Sequence, residues 1–105
     1  MFSSDGFLDY VIDILSPHYP IKARKMFGGY GLYVSGKVFG IIVNDELYFK
    51  ANNSTKSFFT ALNSKPFGYE RKDGKMVYMS YFTVPPEVLE NQDLLKKWIE
   101  VALQS

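Results

Sequence analysis

The sequence predicts an α+β fold, in which an antiparallel sheet and a few helices follow one another without regular alternation. Two observations carry this. Apolar residues recur at helical spacing near both ends, whereas the middle consists of short β-branched and aromatic runs separated by the turn pairs Ser35-Gly36, Asn44-Asp45 and Asp73-Gly74. A third observation is the run Lys25-Met26-Phe27-Gly28-Gly29-Tyr30-Gly31-Leu32-Tyr33, with three glycines inside aromatic, strand-like sequence. Glycine weakens a strand unless a bulge, a bend or a close backbone approach needs it. This run therefore reads as a strongly bent strand, or as two short strands joined at Gly28-Gly29.

The elements follow in order. Phe7, Leu8, Val11, Ile12 and Leu15 share one helical face, with Ser3, Ser4 or Asp5 as the cap. Pro17 and Pro20 stop that helix, which predicts it over about Ser4 to Ser16. The bent run, Lys37 to Val43 and Glu46 to Lys50 then form a three-stranded meander, with the second of these strands covered on both faces. Asn52 or Asn53 caps a short helix with Phe58, Phe59 and Leu62 on its apolar face. Lys65 to Gly68 reads as a connection, and Asp73-Gly74 closes a hairpin between Tyr69–Lys72 and Lys75–Phe82. Pro85-Pro86 opens a single helical turn. Asn91 caps the last helix, whose buried stripe is Leu94, Leu95, Trp98, Val101 and Ala102, with Asp93 paired to Lys97 one turn on. The order is helix, meander, helix, β-hairpin, C-terminal helix, in one domain over residues 1–105.

Composition narrows the function. The 105 residues carry a formal net charge of +1, so no overall field draws the chain to nucleic acid or anionic lipid. Cysteine is absent, which excludes disulfides and thiolate chemistry and fits a cytoplasmic location. No apolar run approaches the ~20 residues that span a bilayer, and Met1-Phe2-Ser3-Ser4-Asp5 lacks the order of a signal peptide. Eight tyrosines and nine phenylalanines point to an aromatic core. Phe27, Tyr30, Tyr33, Tyr48, Tyr69, Tyr78 and Tyr81 are expected in that core and in cross-strand ladders, some of them at a homodimer or partner contact.

Catalytic and metal chemistry find little footing. Gly28-Gly29-Tyr30-Gly31 continues into strand-like sequence and not into a helix, so it lacks the layout of a phosphate loop. A single histidine, His18, without cysteine does not make an ordinary structural zinc site. It is expected at the helix end or in solvent. Asp45 and Asp73 are explained as turn residues, and Ser80 lacks the setting of an activated nucleophile. The basic residues form two groups, Lys22, Arg24 and Lys25 before the glycine run and Arg71, Lys72 and Lys75 around the late turn. Tyr69 and Arg71 share a strand face, a pairing of aromatic and cation that suits nucleic acid.

The motifs, taken together, resemble the N-terminal domain of the TfoX/Sxy family of bacterial competence regulators. The resemblance rests on Met26-Phe27-Gly28-Gly29-Tyr30-Gly31-Leu32-Tyr33, Gly36, Leu47-Tyr48-Phe49-Lys50, Pro66-Phe67-Gly68-Tyr69-Glu70, Met79-Ser80-Tyr81, Pro85-Pro86 and Trp98, in that order. It implies a fold resembling the type III secretion chaperones and a role in transcription regulation beside the cyclic-AMP receptor protein. Neither a reaction nor a cofactor comes with it. Full-length regulators also carry a C-terminal domain of nucleic-acid-binding character, which has no counterpart in the sequence up to Ser105. The expected function is a non-enzymatic protein-interaction module. The alternative is direct nucleic-acid binding through Lys22, Arg24 and Lys25 and through Arg71, Lys72 and Lys75.

Overall fold

Six antiparallel strands form one sheet, and every helix buries its apolar side against the same face of it. The computed structural model describes residues 4–26, 28–62 and 64–105. In chain order the elements are α1 (Ser4–Leu15), β1 (Lys22–Met26), β2 (Gly29–Val34), β3 (Lys37–Val43), β4 (Glu46–Lys50), α2 (Lys56–Thr60), β5 (Pro66–Glu70), β6 (Met76–Thr83), α3 (Pro86–Leu89) and α4 (Gln92–Leu103). Across the sheet the strands run β1-β2-β3-β4-β6-β5. The mixed helix and antiparallel sheet is the α+β arrangement the sequence predicts.

The meander differs from expectation: it has four strands, not three. The glycine run is two strands, because Met26 pairs with Gly29 across a turn in which Gly28 takes φ +73°. Gly29 itself is held by crowding. A Cβ there would stand 1.9 Å from the carbonyl oxygen of Ile42 on β3. The hairpin joins the same sheet, with β6 docked on β4 through Tyr48–Thr83, Phe49–Phe82 and Lys50–Tyr81. The expected connection at Lys65–Gly68 is instead the start of β5. Pro66 is tolerated there because it opens an edge strand, where no ladder donor is needed. Asn44 and Asp45 both adopt positive φ in the β3–β4 turn, and Gly74 does so in the β5–β6 turn, as their residue types suggest.

Pairing register settles which side chains face the helices. Leu32, Ile42, Leu47, Phe49 and Phe82 join one buried cluster with Val11 and Leu15 of α1, Phe59 of α2, Val88 of α3 and Trp98 of α4. Phe39 joins them because the register slips beside it, between Leu32–Gly40 and Tyr33–Val38, and turns its ring inward. Trp98 is fully buried, with ring centroids 4.9 Å from Phe59 and 5.8 Å from Phe58 in edge-on contacts. The aromatic part of this largely aliphatic core is phenylalanine and tryptophan, and the tyrosines expected in it stay partly or fully exposed. A phenolic hydroxyl needs a partner or water, so the tyrosine positions settle where one end remains wet.

Helix ends show where local chemistry was read correctly. Asn91 Oδ1 accepts from the Leu94 amide and caps α4. Asn52 does not cap α2. Its Oδ1 accepts from the Ser54 and Thr55 amides at 2.8 and 2.9 Å and shapes the turn before the helix, whose N-cap is Thr55. Leu62 lies beyond α2 and is exposed. Among the described residues the Asp93–Lys97 ion pair does not form, both partners standing exposed in water where its Coulomb energy is small. The cap expected among Ser3, Ser4 and Asp5 falls outside the described side chains. Lys37 donates to the carbonyl of Leu103, bringing a cation to the negative end of α4.

Gly29→Val is expected to destabilise the protein by about 3 kcal/mol, because backbone cannot yield as a side chain does. Gly6→Ala, where a methyl meets open space, is expected to be neutral or slightly stabilising. Urea denaturation of the three proteins measures both, and equal midpoints would refute the close-approach argument.

Candidate functional site

The face of the sheet turned away from the helices is left without a covering helix. Strand alternation places Lys22, Arg24 and Met26 of β1 there, followed by Gly31 and Tyr33 of β2 and Ile41 and Val43 of β3. Glu46, Tyr48 and Lys50 of β4, Met79 and Tyr81 of β6, and Phe67 and Tyr69 of β5 continue it. Ile41 is fully buried on this face although it stands outside the helix-facing cluster. Its register partner is Tyr48. The expectation that β3 is covered on both sides therefore holds, with helices on one side and aromatic side chains on the other.

The aromatic side chains of this face touch one another. Tyr48 and Phe67 meet edge to face with centroids 5.1 Å apart, although β6 runs between their strands, and Phe67 continues to Tyr69 at 6.3 Å. A groove of about 700 Å³ opens beside them, lined by Val43, Asn44, Phe67, Gly68, Tyr69 and Met79. At the other end of the face a second hollow of about 510 Å³ is lined by Lys22, Ala23, Arg24, Tyr33 and Gly36. Met26 lies over Gly31, where a Cβ would stand 2.3 Å from its Sδ, and the Tyr33 hydroxyl approaches that sulfur at 4.0 Å.

Two phenols here titrate abnormally. Burial raises the pKa of Tyr48 above 10.0, and the Glu46 carboxylate two residues away adds to the rise. Burial likewise raises Tyr81, helped by the nearby Tyr33.

The candidate residues are only partly brought together. Lys22 and Arg24 lie on the open face, but Lys25 pairs with Tyr30 and points to the other side of β1. Arg71, Lys72 and Lys75 sit around the β5–β6 turn, at the opposite edge of the sheet. Arg71 approaches Asp73 at 3.9 Å in an exposed ion pair of little energetic weight. The two basic groups expected to act together are thus separated by the width of the sheet. Of the motif residues, Tyr30 packs against the core, Pro66 opens β5, Ser80 is exposed, and Trp98 is central to the core. Phe27 lies outside the described residues.

His18 is not free in solvent. Its Nε2 donates to Oε1 of Gln92 at 2.7 Å, tying the end of α1 to the start of α4. Nothing in the sequence pairs residues 74 positions apart. Lys50 was also missed as a site residue, since it sits inside a motif that reads as strand. Among the described residues, no three histidine, aspartate or glutamate side chains converge.

This geometry can hold a ligand by stacking, apolar contact and charge. The family described as the TfoX N-terminal domain matches residues 13–105, and the chain belongs to that family. The chain is also similar to a protein of Spirochaeta aurantia described as the uncharacterized 12.7 kDa protein in the trpE 5′ region, at 29% identity over 59 residues. That match covers 56% of this chain and 51% of the relative, so the chain spans about half the length of the curated relative it matches.

Tyr48 and Tyr81 should ionise above pH 10. The folded state keeps phenolic protons that the unfolded chain releases, so their contribution to stability is intact below pH 10 and declines as pH rises through the raised values. Tyrosinate absorbance of the Tyr48→Phe and Tyr81→Phe variants checks this. Each should lack a phenol that titrates above 10, and loss of one titrating at or below 10 would refute the burial argument.

Proposed function

We propose that this chain is a regulatory module that acts by binding a protein and not by catalysis, and that the β5–β6 hairpin is its contact surface. One observation carries the reading. Of the five exposed large apolar side chains among the described residues, three lie on that hairpin: Tyr69, Met76 and Tyr78, at 46, 51 and 63% exposure. Tyr78 and Met76 lie over Gly68, on the helix-facing side of the hairpin, where its outer part extends past the cover of α2. Exposed aromatics and methionine on a protruding hairpin suit a partner that buries them. Membership of a competence-regulator family supports a regulatory role, exercised in the bacterial cytoplasm.

The cyclic-AMP receptor protein is the partner that the family resemblance implies. Titration calorimetry with that protein should show binding that responds weakly to salt, as expected for apolar anchors. Replacing Met76 and Tyr78 together by serine should weaken it at least tenfold, about 1.4 kcal/mol, while leaving the melting temperature close to that of the parent. Binding unchanged by the double variant would sink the assignment of the hairpin. A concentration-dependent dimer lost in that variant would reassign the surface to self-association.

A further inference from the structure

We infer that the helix-free face of the sheet binds single-stranded nucleic acid, laid across the strands from β1 towards β5. This goes beyond the protein contact proposed above and rests on other residues, with Tyr69 alone at the border of both surfaces. The first observation is the distribution of charge. Residues 22–50 and 65–83, which make the sheet and its turns, hold nine of the twelve lysines and arginines but only four of the eleven carboxylates. The sheet segments therefore carry +5 and the rest of the chain −4, so a net charge of +1 conceals a strongly polarised molecule. On the helix-free face itself Lys22, Arg24 and Lys50 stand against the single carboxylate of the described strand residues, Glu46, so a polyanion meets a net positive surface there.

The second observation is what separates the cations on that face. Lys22 and Arg24 stand at the β1 end, Lys50 at the middle, and Tyr33, Tyr48 and Phe67 lie between and beyond them, each partly exposed. Glu46 is the only carboxylate that the described strand residues present there. Aromatic rings stack on bases of any sequence, while cations track the phosphates. The third observation is shape. Six strands at about 4.8 Å spacing give a path of roughly 24 Å, with a hollow at each end. That length suits a short run of unpaired nucleotides, and single-strand sites on small β folds begin at about four. A duplex is excluded by the same geometry. Its bases are stacked among themselves, and this face presents no helix or ribbon to enter a groove.

The arrangement differs from binding by the two basic groups read from the sequence. Lys25 faces away, and Arg71, Lys72 and Lys75 flank the far end of the path. Lys50, in mid-sheet, becomes the central cation.

Fluorescence anisotropy tests this with labelled oligo-U, oligo-dT and a DNA duplex, each of twelve units, at 50 and 200 mM salt. Single strands should bind at least tenfold more tightly than the duplex. Their affinity should fall with salt at a slope near −2, since Lys22, Arg24 and Lys50 each displace about 0.7 counterion from a single strand. Arg24→Gln with Lys50→Gln should weaken binding at least tenfold at 50 mM salt and flatten the slope to about −0.7. Lys96→Gln with Lys97→Gln, on exposed α4 positions, should change neither. Tighter binding of oligo-U than oligo-dT would identify RNA as the strand held, and the reverse would identify DNA. The inference fails if neither single strand binds below 100 μM, if the duplex binds as well, or if the α4 variant loses as much as the sheet variant. Met76→Ser with Tyr78→Ser should leave oligonucleotide binding intact, so the result stands or falls apart from the protein contact on the hairpin.

Discussion

One-sided burial governs this molecule. All four helices send their apolar residues into a single cluster on one face of the sheet, with Trp98 at its centre. A six-stranded sheet covered on one side must solve the other side by different means. Here the solution is aromatic: Tyr48 stands beside Ile41 in register and touches Phe67, and both rings stay partly in contact with water. The same property that lets these rings close off β3 makes them available to a ligand. One set of side chains on the open face thus both covers β3 and remains in contact with solvent.

Much of the fold was legible. Helical periodicity located α1 and α4, and the turn pairs placed the hairpins, because a positive φ is demanded by local backbone geometry and betrayed by Asn, Asp and Gly. The α+β class followed from element order. What escaped was decided by distant residues. Why residue 29 must be glycine depends on how closely Ile42 approaches, and Ile42 is thirteen residues further on. The docking of β6 on β4 places residues 48 and 83 side by side, a pairing no local pattern encodes. Lys65 to Gly68 read as a connection, whereas the edge of the sheet accepts Pro66 at the start of a strand.

The site was legible in composition and not in arrangement. The sequence showed basic groups and many tyrosines. It did not show that Lys22 and Arg24 share a face with Lys50, or that Lys25 does not. Alternation along each strand is local, but which face the helices cover is a property of the whole, and the charge polarity of the molecule appears only once that face is known. The net charge of +1 averaged two opposed surfaces into near neutrality. His18 is a similar case: its partner Gln92 is 74 residues away, so a histidine that reads as a loose helix end is in fact a clasp between α1 and α4.

The placement of Trp98 has a bearing on how the chain comes into being. Phe39 and Phe49 are complete by residue 49, yet the ring at the centre of their cluster is not synthesised until residue 98, and Leu95, Ile99 and Ala102 arrive with it. Until then the helix-facing side of the sheet has only α1, α2 and the single turn α3 to cover it, and short helices confer little stability by themselves. The nascent chain therefore carries an exposed apolar sheet face for about half of its own synthesis. The tightly turned hairpins, which form from local contacts, can assemble early, but the fold locks late and all at once. In the cell, then, the time of greatest vulnerability to misassociation is set by the distance in sequence between the middle strands and the helix that seals them.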